Sequence, residues 1–171
     1  QPEGTPQFKG GLQALTNLCE KLSVPVVLKE TGCGFSKSTL EKVKGIGLRA
    51  VDVSGFGGTH WGRIEGDRNN SDETRKLAAE SFRDWGISTL DSLIAAQGLQ
   101  PESDYKIWAS GGVRTGLDAA SWLALGAEMV GFAKPILSAA LKGENELNLQ
   151  MKAVEYELKT ALFCTGCRDI E

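Results

Sequence analysis

Four short stretches of this sequence end an apolar run in glycine and set a charged or hydroxyl-bearing residue beside it. They are Lys29-Glu30-Thr31-Gly32, Ser54-Gly55-Phe56-Gly57-Gly58-Thr59, Ser110-Gly111-Gly112-Val113-Arg114 and Gly131-Phe132-Ala133-Lys134. Glycine-rich turns that lead into a helix expose backbone N–H groups, and such groups bind phosphate. The last two stretches have this form, with Arg114 and Lys134 as the adjacent cations. Lys29 closes an apolar run and precedes a glycine turn. An ammonium there can form a Schiff base, pair with a phosphate or hold an electron-rich ring oxygen. The bland alternative is a surface lysine just past a strand, and the apolar run beside it argues against that. Ser54 and Thr59 can serve as turn hydroxyls. They also flank Gly55, Gly57 and Gly58, where small residues would let a bulky ligand approach the backbone.

Three further features are weighed as chemistry. His60 is the sole histidine and would be a natural general base. It sits in a polar stretch with no orienting acid fixed beside it, so it reads as a solvated loop residue. Asp52 is mid-strand and is either a buried structural acid or an active-site one. Cys164 and Cys167 have the spacing of a redox pair or half a zinc site, but a zinc site needs two more soft ligands. Two free thiols near a helix end is the reading.

The elements that must position these tips follow from periodicity. A helix is expected over 11–22, with Leu12, Leu15, Leu18, Cys19 and Leu22 on one face. The run 25–30 is continuously apolar and then charged, as in a parallel strand buried on both faces. Ser36 stands where an N-cap belongs, before a helix to Lys44 that Gly45 and Gly47 stop. Residues 49–54 form the next strand. Residues 60–80 are polar and charged, with the character of a long mobile insertion. A helix over 89–97 faces inward through Leu90, Leu93 and Ile94. A strand over 106–110, a helix over 116–125 and a strand over 128–133 follow. Pro135 suits the first turn of a helix to Leu141, and an amphipathic helix over 146–163 closes the chain. Alternation of this kind gives a parallel α/β sheet. A complete eight-stranded barrel needs about 250 residues, so four strands in 171 residues make half a barrel or a small open sheet.

Composition excludes other classes. The net charge is −3 and the charges are mixed along the chain, so neither a nucleic-acid track nor a membrane-surface patch is expected. No run approaches the ~20 apolar residues of a membrane helix. Four cysteines are too few for a disulfide scaffold, and a reduced cytoplasmic setting is expected.

Taken in order, the four tips resemble one family, the FMN-dependent (type 2) isopentenyl-diphosphate isomerases. Lys29-Glu30-Thr31-Gly32-Cys33-Gly34-Phe35-Ser36 resembles its strand-5 motif. Val51-Asp52-Val53-Ser54-Gly55-Phe56-Gly57-Gly58-Thr59 resembles its strand-6 motif. Phe82 and Trp85-Gly86-Ile87-Ser88-Thr89 match a Trp-Gly-Ile-x-Thr box, and Ala109 to Arg114 with Ala124-Leu125-Gly126-Ala127 match the strand-7 unit. The Ser-Gly-Gly-x-Arg unit is shared by many FMN barrels, whereas the whole set is specific.

The resemblance implies the C-terminal half (strands 5–8) of a single (β/α)8 TIM barrel over residues 1–171, with a terminal helix. It implies that Lys29 contacts the flavin ring and that Ser54 and Thr59 hold the ribityl or phosphate end of FMN. Gly111, Gly112, Arg114, Ala133 and Lys134 would hold the FMN phosphate. It further implies interconversion of isopentenyl and dimethylallyl diphosphate by reduced FMN acting as acid and base, with NADPH as reductant and Mg²⁺ on the substrate diphosphate. The family's Gln-Glu pair belongs upstream of Gln1, so catalytic and metal residues are not assigned in this chain. Partners expected are the missing N-terminal half of the barrel or further copies, since one half barrel leaves two strand edges unpaired. The alternatives are a 2-hydroxy-acid oxidase-like FMN barrel and a catalytically incomplete half barrel. Hydroxy-acid oxidases use a His and Arg pair after strand 7, and no His follows His60.

Overall fold

The computed structural model describes residues 6–68 and 72–170. Helix α1 (Gly11–Lys21) leads into strand β1 (Val27–Lys29). Helix α2 (Lys37–Lys42) starts where the Ser36 hydroxyl accepts from the Thr39 N–H, satisfying a first-turn donor. Strand β2 (Ala50–Asp52) is followed by α3 (Trp61–Arg68), α4 (Glu73–Ser81) and α5 (Thr89–Gln97). A 3₁₀ turn over Gln100–Glu102 precedes β3 (Lys106–Ala109). Helix α6 (Gly116–Ala124) opens with a capping box between Thr115 and Asp118. Strand β4 (Met129–Val130), α7 (Lys134–Lys142) with proline in its first turn, and the long α8 (Glu144–Thr165) complete the chain.

The four strands form one parallel sheet in the order β1-β2-β3-β4. A doubly wound sheet reverses its order at a switch point, and none occurs here. With right-handed crossovers, adding every strand on the same side keeps the helices on one face, which is the winding of a barrel wall. The core lies under the inner strands. Val51, Val53, Ile107 and Ala109 pack with Leu40, Val43, Leu93, Ala96 and Leu99 from the α2 and α5 regions. Helix α8 packs on α6 and α7. Gly116 sits so close to the α8 backbone at Val154 that a side chain would collide with it, and Glu157 accepts the Gly116 N–H at 2.6 Å.

Several expectations are corrected. β1 was expected to be buried on both faces, yet its residues are only half-buried or exposed, as is β4, where Met129 is 53 % exposed. Both are edges of the sheet, while the interior β2 is buried throughout. α1 packs on the core through Leu15 and Cys19, leaving Leu12, Leu18 and Leu22 exposed. Leu90 and Ile94 of α5 are also exposed, and the buried face is Thr89, Ser92, Leu93 and Ala96. Apart from these corrections, the 60–80 stretch, expected as a mobile insertion, holds α3 and α4. α3 and α4 pack together where Gly66 meets Ala79. Residues 69–71 of that expectation lie outside the described ones.

Candidate active site

The C-terminal tips of β1, β2 and β3 meet in a hydrogen-bonded cluster. Lys29 and Asp52 are register partners at the ends of their strands. The Lys29 ammonium donates to Ser54 Oγ at 2.8 Å and Ser110 Oγ at 2.9 Å, and lies 3.1 Å from an Asp52 carboxylate oxygen. Ser110 in turn donates to Asp52 at 2.8 Å, and the Ser54 N–H reaches the same carboxylate at 3.2 Å. Asp52 is buried, whereas the Lys29 side chain is 54 % exposed in the cleft. A buried anion thus tethers a half-exposed cation. Ser54 is the one non-glycine residue with positive φ, at 33°, among the described residues.

Next to Lys29, one carboxylate oxygen of Glu30 accepts four successive backbone N–H groups, from Thr31, Gly32, Cys33 and Gly34, at 2.7–3.1 Å. These form an anion-binding concavity of backbone donors that the chain fills with its own side chain. Burial, and then the nearby Glu30 charge, push the Cys33 thiol pKa up from its ordinary value.

The glycines of the second and third tips interlock. Gly111 and Gly112 have φ of 93° and 88°, which favour glycine. A Cβ on Gly112 would meet the Gly57 backbone at 2.9 Å, and one on Gly58 would meet Gly112 N at 2.7 Å. At Gly58 and Gly112 the lack of a side chain therefore admits the neighbouring loop. Thr89 pins the same loop by donating to the Gly111 carbonyl at 2.7 Å. Arg114 lies over it, donating to Gly57 O at 3.3 Å. The Arg114 and Thr115 N–H groups converge on Asp118. Burial pulls the Asp118 pKa upward, but these hydrogen bonds and the Arg114 charge outweigh it and leave the carboxyl below its ordinary value.

The fourth tip is different. Ala133 precedes α7 without any side-chain cap. The N–H groups of Gly112, Phe132, Ala133 and Lys134 find no acceptor among the described residues. Unfilled first-turn donors beside a lysine and an arginine attract an anion.

One cleft of about 1280 Å³ connects these tips, and Lys29, Ser54, Thr59, Gly111, Gly112, Arg114, Ala133 and Lys134 all line it. All eight residues expected at a site are thus brought together. Trp61, Gly62 and Glu65 of the α3 region form another wall, which no motif had marked. Glu30 was visible as an acid at a strand end and binds its own loop, whereas Asp52, read as mid-strand, closes β2 and depends on Ser110, 58 residues away. His60 is not the solvated loop residue expected. It is buried, its Nδ1 accepts the Arg63 N–H at 3.2 Å at the start of α3, and its Nε2 donates to Trp85 O at 2.9 Å. Among the described residues no three His, Cys, Asp or Glu side chains gather as a metal site, and no helix is long and apolar enough to cross a membrane.

Comparison with known proteins places this geometry. The chain is 57 % identical over its whole length to an isopentenyl-diphosphate delta-isomerase of Legionella pneumophila, 49 % to one of Bdellovibrio bacteriovorus and 39 % to one of Nostoc. It spans about half the length of these curated relatives, covering 49 %, 49 % and 48 % of each. Among solved structures, a mandelate oxidase variant with a monooxide FMN adduct matches 93 % of the chain at TM-score 0.65 and 16 % identity, using 43 % of its own length. A flavocytochrome b2 variant with sulfite bound matches 99 % at TM-score 0.68 and 22 % identity, using 37 % of its own length. These likenesses show a shared parallel α/β fold. The family model for FMN-dependent dehydrogenases matches residues 6–171, and the chain therefore belongs to the FMN-dependent dehydrogenase family.

Proposed function

We propose that this chain is the C-terminal half of a (β/α)8 barrel that binds FMN and interconverts isopentenyl and dimethylallyl diphosphate. The observation that carries the reading is the single cleft that gathers a tethered cation at one end and unfilled anion donors at the other. FMN has both complements: an electron-rich ring and a phosphate. The donor set fits it, with Lys29 at the ring, Ser54 and Thr59 toward the ribityl or phosphate end, and Gly111, Gly112, Arg114, Ala133 and Lys134 at the phosphate.

When bound and reduced, FMN supplies the acid and base that an allylic proton shift on an uncharged C5 unit needs. The chain's own residues orient it and set the field around it. Lys29 places positive charge where the ring gains electron density. The α7 N-terminus and its cations fix the phosphate and so the register of the ring. NADPH as the reductant and Mg²⁺ on the substrate diphosphate belong to the same reading, with metal ligands expected in the N-terminal half. Helix α3, whose Trp61, Gly62 and Glu65 form one wall of the cleft, would close over the mouth and exclude water.

A hydroxy-acid oxidase would need an imidazole beside the β3 tip. The sole histidine is instead buried in the cap of α3, with both ring nitrogens engaged. The deciding experiment adds the barrel's N-terminal half, FMN, Mg²⁺ and dithionite or NADPH, and follows isopentenyl diphosphate by NMR. Formation of dimethylallyl diphosphate is expected. A flavin-loaded protein that leaves it unchanged and oxidises a 2-hydroxy acid would overturn the proposal.

A further inference from the structure

We propose that Asp52 is the positioning residue of the site, acting through Lys29. The inference rests on the FMN reading and goes beyond it, because Asp52 itself is buried beneath the cation. An ammonium has three N–H donors. Those of Lys29 have three acceptors around them: Ser54 Oγ, Ser110 Oγ and the Asp52 carboxylate. The polarity of the cluster is fixed by Asp52, which can only accept. The Ser110 hydroxyl must therefore spend its hydrogen on Asp52 and offer a lone pair to Lys29. Ser54 accepts from Lys29 at the cleft that it lines.

A lysine at a strand end otherwise samples many rotamers and gives up that freedom when a ligand fixes it. Here the stem is held before any ligand arrives, although half of the side chain faces the open cleft. Asp52 is held in turn by the Ser54 N–H and by the register that sets it beside Lys29. The arrangement is a preorganised cation on a rigid element. Displacing such a group by about 1 Å is worth on the order of 100-fold in rate.

The test is a double-mutant cycle in the full-length protein, with Asp52→Asn and Lys29→Met made singly and together. FMN affinity is read by fluorescence quenching and isomerase turnover by NMR. Asp52→Asn is expected to weaken FMN binding and to lower turnover, and to change neither further once Lys29 is Met. Equal losses in both backgrounds would mean that Asp52 only supports the fold, and would overturn the proposal. So would a variant indistinguishable from wild type. Ser110→Ala, which removes one tether without touching the buried charge, gives a second cycle with the same expectation should Asp52→Asn fail to fold. If the wild-type protein does not bind FMN, the functional reading falls and this inference falls with it. If Lys29→Met weakens FMN binding and neither Asp52→Asn nor Ser110→Ala does, only the inference falls.

Discussion

The two ends of the cleft are built on opposite plans. Around Lys29 the polar groups answer one another: the cation has its three acceptors, and Glu30 fills its own nest of four N–H groups. Around Lys134 the donors are left open, with no side-chain cap on α7 and no acceptor among the described residues for the N–H of Ala133. A closed network fixes a side chain before binding, whereas open donors are completed by the ligand. The ring end should therefore respond to mutation through geometry and rate, and the phosphate end through affinity for one charged group.

The strongest way to break that contrast is Lys29→Ala. Loss of a single preorganised electrostatic group should lower turnover by roughly 100- to 1000-fold and also weaken FMN, measured in the full-length protein. Unchanged turnover would leave the ring end without its proposed role. Glu30→Gln comes next. It weakens four charge-assisted bonds to the β1–α2 loop at once, and a stability loss of about 2 kcal/mol is expected, read as a lower unfolding midpoint in denaturant. A midpoint equal to wild type would show that the nest stands without its anion.

At the open end, Arg114→Ala with Lys134→Ala should reduce FMN affinity about tenfold or more and leave riboflavin binding unchanged. Equal losses for both ligands would place the phosphate elsewhere. Gly112 is unsuitable for this purpose, since any side chain there meets the Gly57 backbone and would disturb both ligands. The smallest effect is expected at Asp118→Asn, about 1 kcal/mol at neutral pH from a damaged helix cap. The folded carboxyl has a lowered pKa, so its stabilisation is present above the unfolded-state value and is lost as pH falls through the folded one. Wild type and variant should therefore converge in stability in acid; a gap that persists there would assign the effect to packing instead.

Much of this contrast was legible in the sequence, and the illegible part has physical causes. Ser36 announces a helix start because a cap is a local event, and it makes the bond expected of it; Ser88 and Thr115 cap α5 and α6 in the same way. The glycine tips were legible as strand ends for the same reason. The inward face of α5 was not. Ser92 is buried because its hydroxyl reaches Phe35 O, 57 residues away, and hydrophobic periodicity has no knowledge of such a partner. His60 failed as a solvated residue on the same ground, since the Trp85 carbonyl that satisfies it lies 25 residues on. β1 read as buried on both faces because its composition suits a closed sheet, while here it is one margin of the sheet. Composition reports the environment a strand is suited to, not the neighbours present in one chain.

Ser54 carries a further consequence. Its backbone is held at φ 33°, a left-handed conformation that costs a residue with a side chain about 1–2 kcal/mol and that glycine adopts freely. Ser54→Gly should thus make the protein harder to melt while removing the hydroxyl that Lys29 leans on. A gain in thermal resistance coupled to a loss of flavin affinity would expose, at one position, the conflict between durability and activity that runs through functional sites.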